Sequence, residues 1–217
     1  MDFEQNQSVV SYEREYNASF HKLLKMLTLS ILISFIGTLA GIAVPPVLFM
    51  PLIIVEFVML ISAIFVRRRK KAIGYGFTFG FCFISGITLY PTIAYYASVG
   101  GFTLVNTAFL ITTAMFAGLT AYAYWSKKDF SFLGGFLFMG LIALVGFSII
   151  GMFTGSFAGP IICVFGTLIF SGYILFDISR MKHGLADEDI PRAVITLYLD
   201  FLNLFLYVLR LLGLSRD

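Results

Sequence analysis

Three carboxylates and one guanidinium sit inside, or at the edge of, long apolar runs: Glu56, Asp177, Asp200 and Arg67. A charge near the centre of a bilayer costs at least about 2.5–3.5 kcal/mol on insertion scales. An acid lowers that cost by binding a proton or meeting a cation, so these positions are candidates for proton and ion chemistry, with structural pairing as the competing role. Asp200 carries the strongest pattern. At 100° per residue, Thr196, Asp200, Asn203, Tyr207 and Arg210 fall on one narrow helical face. Lipid cannot face that stripe, which therefore points at other helices or at water. It serves either as a line of groups for an ion or proton path or as a hydrogen-bonded seam.

Asp177 lies about 10 Å from the inner end of its helix, and Asp200 about 16 Å from the start of the next one, at 1.5 Å per residue. Two consecutive antiparallel helices bring these carboxyls to depths within about one turn. Two carboxyls in one dry site do not readily both ionise; they share a proton and titrate as a pair, which makes a pH sensor. They fall short of the six to eight oxygens of a tight Ca²⁺ site, but a passing cation needs fewer and weaker ligands. Glu56 and Arg67 return to nearly the same face of one helix about 16 Å apart, too far to pair along it. Each looks to another helix, and Arg67 is placed to reach Asp177.

The elements that position these groups follow from composition. Of 217 residues, 59% are hydrophobic and only 12% charged, with a net charge of +3 and a mean hydropathy of +0.92. A soluble domain carries about 25% charged residues, so a water-soluble enzyme and a nucleic-acid-binding chain are excluded, and the bilayer is the expected surrounding. Seven runs are long enough for membrane-crossing helices, near 23–44, 47–66, 72–96, 102–125, 130–153, 159–182 and 190–212. The expected fold is an all-α integral membrane bundle: a cytoplasmic tail over 1–22, a seven-helix domain over 23–213 and a short carboxyl-terminal tail over 214–217. The acidic Asp187-Glu188-Asp189 suits the amino terminus of the last helix, and Pro191 is tolerated in its first turn.

Every basic residue except Arg210 and Arg216 falls on the side of the amino-terminal tail in this scheme, including the run Arg67-Arg68-Arg69-Lys70-Lys71 and the pair Lys127 and Lys128. The opposite loops, around Pro45–Pro46, Gly100–Gly101 and Gly155–Gly159, hold no ionisable side chain. The positive-inside rule then places the amino terminus in the cytoplasm and the carboxyl terminus across the membrane. Glycines spaced by four, Gly37/Gly41, Gly76/Gly80 and Gly151/Gly155, read as close helix packing. Cys82 and Cys163 read as small packing residues.

Enzyme chemistry finds little support. His21 and His183 lie at membrane edges, so a Ser–His protease lacks its base. No His/Cys/Asp cluster has metal-ligand spacing, every lysine is at a helix end or in a loop, and there is no phosphate-binding glycine loop. No cofactor is expected.

The segment Gly166-Thr-Leu-Ile-Phe170-Ser-Gly-Tyr173-Ile-Leu-Phe176-Asp177, followed by Leu197-Tyr-Leu-Asp200-Phe-Leu-Asn203-Leu-Phe, resembles the transmembrane Bax inhibitor motif family. The resemblance extends to Glu56, to Arg67-Arg-Arg-Lys70 with Ala72-Ile-Gly74-Tyr75, and to Phe83-Ile-Ser-Gly-Ile-Thr-Leu89. It is closest to bacterial members proposed as pH-sensitive calcium leak channels. The resemblance implies a central seventh helix surrounded by the other six, with Asp177 and Asp200 as a hydrogen-bonded gate, Arg67 latching Asp177 in a closed state and Glu56 as a family acid. Asp177 and Asp200 would meet Ca²⁺ only transiently as it permeates, with H⁺ as regulator; Glu56, Thr196, Asn203, Tyr207 and Arg210 are possible pathway residues. Family members often read Tyr-Asp-Thr where this chain has Phe176-Asp177-Ile178, which puts a hydroxyl near the pair in doubt. The expected location is a prokaryotic cytoplasmic membrane. Two other functions stay open: an H⁺-coupled cation transporter, and a non-transporting interaction or stress-protection protein.

Overall fold

In a computed structural model of the chain, the backbone is described for residues 2–68, 73–154, 159–182 and 185–214, and side chains for 18–63, 73–151, 159–182 and 185–214. The described elements are helical. They comprise α1 (Asp2–Gly41), α2 (Phe49–Arg68), α3 (Tyr75–Trp125), α4 (Gly134–Thr154), α5 (Gly159–Lys182) and α6 (Ile190–Leu214). Short 3₁₀ turns lead into α2, α4 and α6 at Pro46–Leu48, Ser131–Leu133 and Asp187–Asp189. The last of these carries the three acids expected at a helix start, where negative charge complements the exposed N–H groups. Six of these helices are long and apolar enough to cross a membrane. This is a multi-pass membrane protein.

The expected third and fourth spans form one 51-residue element, α3, and the loop expected at Gly100–Gly101 is a break at a single residue. Gly101 has φ 71 and ψ 173, a backbone state open to glycine because it has no Cβ. One residue redirects the chain there, so no connecting loop is needed. The basic run at 69–71, the loop at 155–158 and His183 lie outside the described residues.

The chain divides into two compact units, Met1–Pro91 with Met181–Tyr198, and Thr92–Arg180 with Leu199–Asp217. In the first, α1 and the leading arm of α3 touch along their backbones. A Cβ on Gly37 would collide with the Phe83 carbonyl, and one on Gly86 with that of Ser34. Thr38 Oγ1 donates across this seam to the Gly86 carbonyl at 3.0 Å. Gly41 packs on the Tyr90 ring, so the expected Gly37/Gly41 packing is present. Gly76 and Gly80 correct the expectation: a Cβ at either meets nothing within 4 Å, because their face of α3 turns away from neighbouring helices. The start of α6 runs along α3 in the same direction, with Thr78 Oγ1 donating to the Pro191 carbonyl at 3.0 Å and Phe81 edge-on to Tyr198.

In the second unit, α5 and α6 are antiparallel, Gly159 facing Leu214 and Gly166 facing the Tyr207 ring. Helix α4 packs on α5, also antiparallel, through Gly134 on Phe176, Leu137 on Gly172 and Gly140 on Ile169. The arm of α3 beyond Gly101 runs against α6 in the opposite sense, Phe109 meeting Phe205 and Phe116 meeting Phe201. Cys82 and Cys163 are free and buried, as packing residues should be.

Candidate functional site

The antiparallel register of α5 and α6 carries Asp177 and Asp200 to the same level of the second unit. Their residues are 9% and 5% exposed, and the two carboxyls stand within hydrogen-bonding reach of each other. Small residues make this approach possible: a Cβ on Gly166 would lie only 2.5 Å from the Tyr207 ring, and that ring stacks on Phe170 at 5.8 Å. Next to Asp200 on α6, Phe201 is edge-on to Phe109 and Phe116. Asp200 Oδ2 is buried without a hydrogen-bond partner. A buried acceptor of this kind is costly unless something fills its vacant lone pairs. A proton or a passing cation held between the carboxyls would relieve both that deficit and their mutual repulsion.

Tyr173 is a neighbour that the pattern of charges did not pick out. Its phenol lies within electrostatic reach of both Asp200 and Asp177. The signal was available as spacing, since Tyr173 precedes Asp177 by one turn on α5. Phe176 does not take that place. Its ring packs on Gly134 and under the Arg180 guanidinium at 5.3 Å. The hydroxyl in doubt at position 176 thus has a counterpart one turn earlier.

The polar stripe of α6 divides into different environments. Thr196 Oγ1 donates to the Arg192 carbonyl at 3.3 Å, and Asn203 Nδ2 to the Leu199 carbonyl at 2.8 Å. Both thus bond to the backbone of their own helix. Tyr207 packs on α5, and the exposed Arg210 lies within electrostatic reach of Tyr207 and Cys163. Glu56 belongs to the first unit, where its Oε2 accepts from Thr88 Oγ1 at 2.6 Å. Arg67 is on α2, and its side chain lies outside the described residues. Just past Asp177, the buried Ser179 ties α5 to the α3–α4 connection. Its Oγ accepts from the Phe130 N–H at 3.0 Å and donates to Asp129 Oδ1 at 3.1 Å. Sequence reasoning missed this tether, because an exposed loop aspartate carries no periodic signal.

A family model described as inhibitor of apoptosis-promoting Bax1 matches residues 17–217. Bax inhibitor 1 of Schizosaccharomyces pombe is 39% identical over 145 residues, covering 66% of this chain and 53% of that protein. The Golgi anti-apoptotic protein of vaccinia virus is 35% identical over 158 residues, covering 72% of this chain and 65% of that protein. A membrane protein of Vibrio cholerae is 37% identical over 172 residues, covering 76% and 77%. The chain therefore spans between about half and two thirds of the length of the first two relatives.

Proposed function

The chain belongs to the Bax inhibitor motif family, and on that premise we propose that it is a pH-sensitive, calcium-permeable leak channel. The observation that carries this reading is the buried carboxyl pair, Asp177 and Asp200, on neighbouring helices. Protonation of the pair sets the gate, and Arg67 is the latch that holds Asp177 in the closed state. A population shift of this kind needs a difference in free energy between the two states. The change of charge on the pair, felt by Arg67, supplies it. Ca²⁺ is the permeant ion, and Glu56, Thr196, Asn203, Tyr207 and Arg210 line its route.

The channel has seven crossings. Support comes from α3, whose 51 residues would extend about 77 Å if straight, against a hydrocarbon core of about 30 Å. Its arm before Gly101 runs with α6 and its arm after Gly101 runs against it. Helix α6 is the central one, in keeping with the largest buried share among the six, 56% of its apolar window. The amino terminus is cytoplasmic and the carboxyl terminus lies across a cell membrane.

The test is Ca²⁺ influx into liposomes holding the purified protein, between about pH 6 and 8, for wild type and Asp200→Asn. The expected result is a flux that varies with pH in the wild type and loses that dependence in the variant. A folded protein with no flux above empty liposomes at any pH overturns the reading. The names of the yeast and viral relatives, Bax inhibitor 1 and Golgi anti-apoptotic protein, favour a second reading, a non-transporting membrane protein that modulates cell death. Asp200→Asn that lowers folding yield in a chain without flux would select it.

A further inference from the structure

The second unit meets a membrane surface where α3 hands over to α4. One apolar span ends at Trp125 and the next begins at Ser131, so the chain from Ser126 to Phe130 turns at a bilayer face. Lys127 and Lys128 are exposed on this turn, and the Lys128 N–H donates to Ser126 Oγ at 3.1 Å. Helix α5 brings a third cation to it. Ser179 Oγ accepts from the Phe130 N–H at 3.0 Å, so the exposed Arg180 stands one residue from that bond and Lys128 two. The Arg180 guanidinium lies over the Phe176 ring at 5.3 Å, and that ring packs on Gly134 at the start of α4.

Two large aromatic side chains flank these cations. Trp125 and Phe132 are 77% and 78% exposed, and rings of this kind settle at the headgroup level of a bilayer. The one acid of the turn, Asp129, is already engaged: its Oδ1 accepts from the Ser131 N–H at 2.9 Å and from the Ser179 hydroxyl at 3.1 Å. Among the described residues, no ion pair holds Lys127, Lys128 or Arg180. The turn is therefore positive at the depth where lipid phosphates lie. The rings select the kind of anion. A free phosphate gains nothing from them, whereas a phospholipid offers its phosphate to the cations and its acyl boundary to the rings. A zwitterionic headgroup carries a cation of its own into the positive patch, which favours a headgroup of net negative charge.

We propose that the α3–α4 turn, with Arg180 of α5, is a binding site for an acidic phospholipid. Lys127, Lys128 and Arg180 attract the headgroup, while Trp125 and Phe132 seat the turn at the boundary of the acyl chains. The bond between Ser179 and Phe130 keeps the α5 cation beside the turn. The proposal is independent of the leak reading.

Trp125 is the only tryptophan of the chain, so its fluorescence reports on this site alone. The full-length protein is reconstituted in phosphatidylcholine bilayers in which brominated phosphatidylglycerol or brominated phosphatidylcholine replaces an equal fraction of the lipid, with folding checked by circular dichroism. One basic side chain near an anionic surface is worth roughly fivefold in affinity. The expected result is quenching of Trp125 by the acidic lipid with at least about fivefold preference over the zwitterionic one. That preference falls by about fivefold or to none in Lys127→Gln, Lys128→Gln and Arg180→Gln, and it falls as salt is raised. Lys25→Gln, which removes an exposed cation of the first unit, leaves it unchanged. Equal quenching by the two lipids in the folded wild type overturns the proposal, as does a preference that survives all three substitutions at the turn. Relief of the quenching by millimolar inorganic phosphate overturns it too, by showing that the cations take a free anion instead of a lipid.

Discussion

Gly86→Ala measures how tightly α1 and α3 are pressed together. A Cβ on Gly86 would land against the Ser34 carbonyl, a backbone oxygen with no rotamer through which to yield. The helices would have to part, and parting them stretches the bond from Thr38 Oγ1 to the Gly86 carbonyl. Overpacking of this kind costs about 1–3 kcal/mol. A lost hydrogen bond adds about 0.5–1.5 kcal/mol, at the lower end here because Thr38 keeps the Ser34 carbonyl at 3.1 Å as an alternative acceptor. Alanine returns roughly 0.5–1 kcal/mol through its helix preference. The expected net loss is about 1–3 kcal/mol. Gly80→Ala is the control, since a Cβ there meets nothing within 4 Å, and it should be neutral or slightly stabilising. Thermal unfolding of the two variants in one detergent reads the difference. Gly86→Ala as stable as Gly80→Ala would refute the close approach of α1 and α3. The seam that keeps Ser34 against Tyr198 would then need another explanation.

Two more outcomes follow from the geometry. Ser179→Ala removes the acceptor of the Phe130 N–H and should cost about 1–3 kcal/mol in the same unfolding assay. Asp129→Ala should cost less, because water replaces an exposed acceptor; the reverse order would mean that the tether does not anchor the α3–α4 connection. Topology is read by labelling with a membrane-impermeant maleimide from outside the cell. Phe102→Cys, at a position 74% exposed, should label directly, whereas Lys127→Cys should label only after permeabilisation. Cys82 and Cys163 are 0% exposed and should stay silent. Labelling of both positions from the same side would remove the reversal of α3 at Gly101.

The membrane class, the helix positions and the two acids of the site are local properties, and the sequence carries them. Apolar runs mark the helices because in lipid a backbone must bond within its own helix or in a closed barrel, and these runs are too long and too continuously apolar for barrel strands. Asp177 and Asp200 stand out because a charge in such a run is costly wherever it ends up. The acidic turn before α6 is equally local, since a helix start attracts negative charge whatever surrounds it.

Which groups meet is a property of packing, and only the tertiary structure decided it. Gly37 and Gly76 both begin a four-residue glycine spacing, yet one lies against a neighbouring backbone and the other has open space around it; periodicity gives a face but not what that face meets. Gly101 looked like part of a loop, because sequence marks where a glycine stands and not the sign of its φ. Tyr173 joins the carboxyl pair through the register between α5 and α6. The hydroxyl of Ser34 is an ordinary helix side chain until α1 and α6 bring it to Tyr198. A single carboxylate in an apolar helix announces itself, whereas a neutral hydroxyl acquires its partner only when the helices pack.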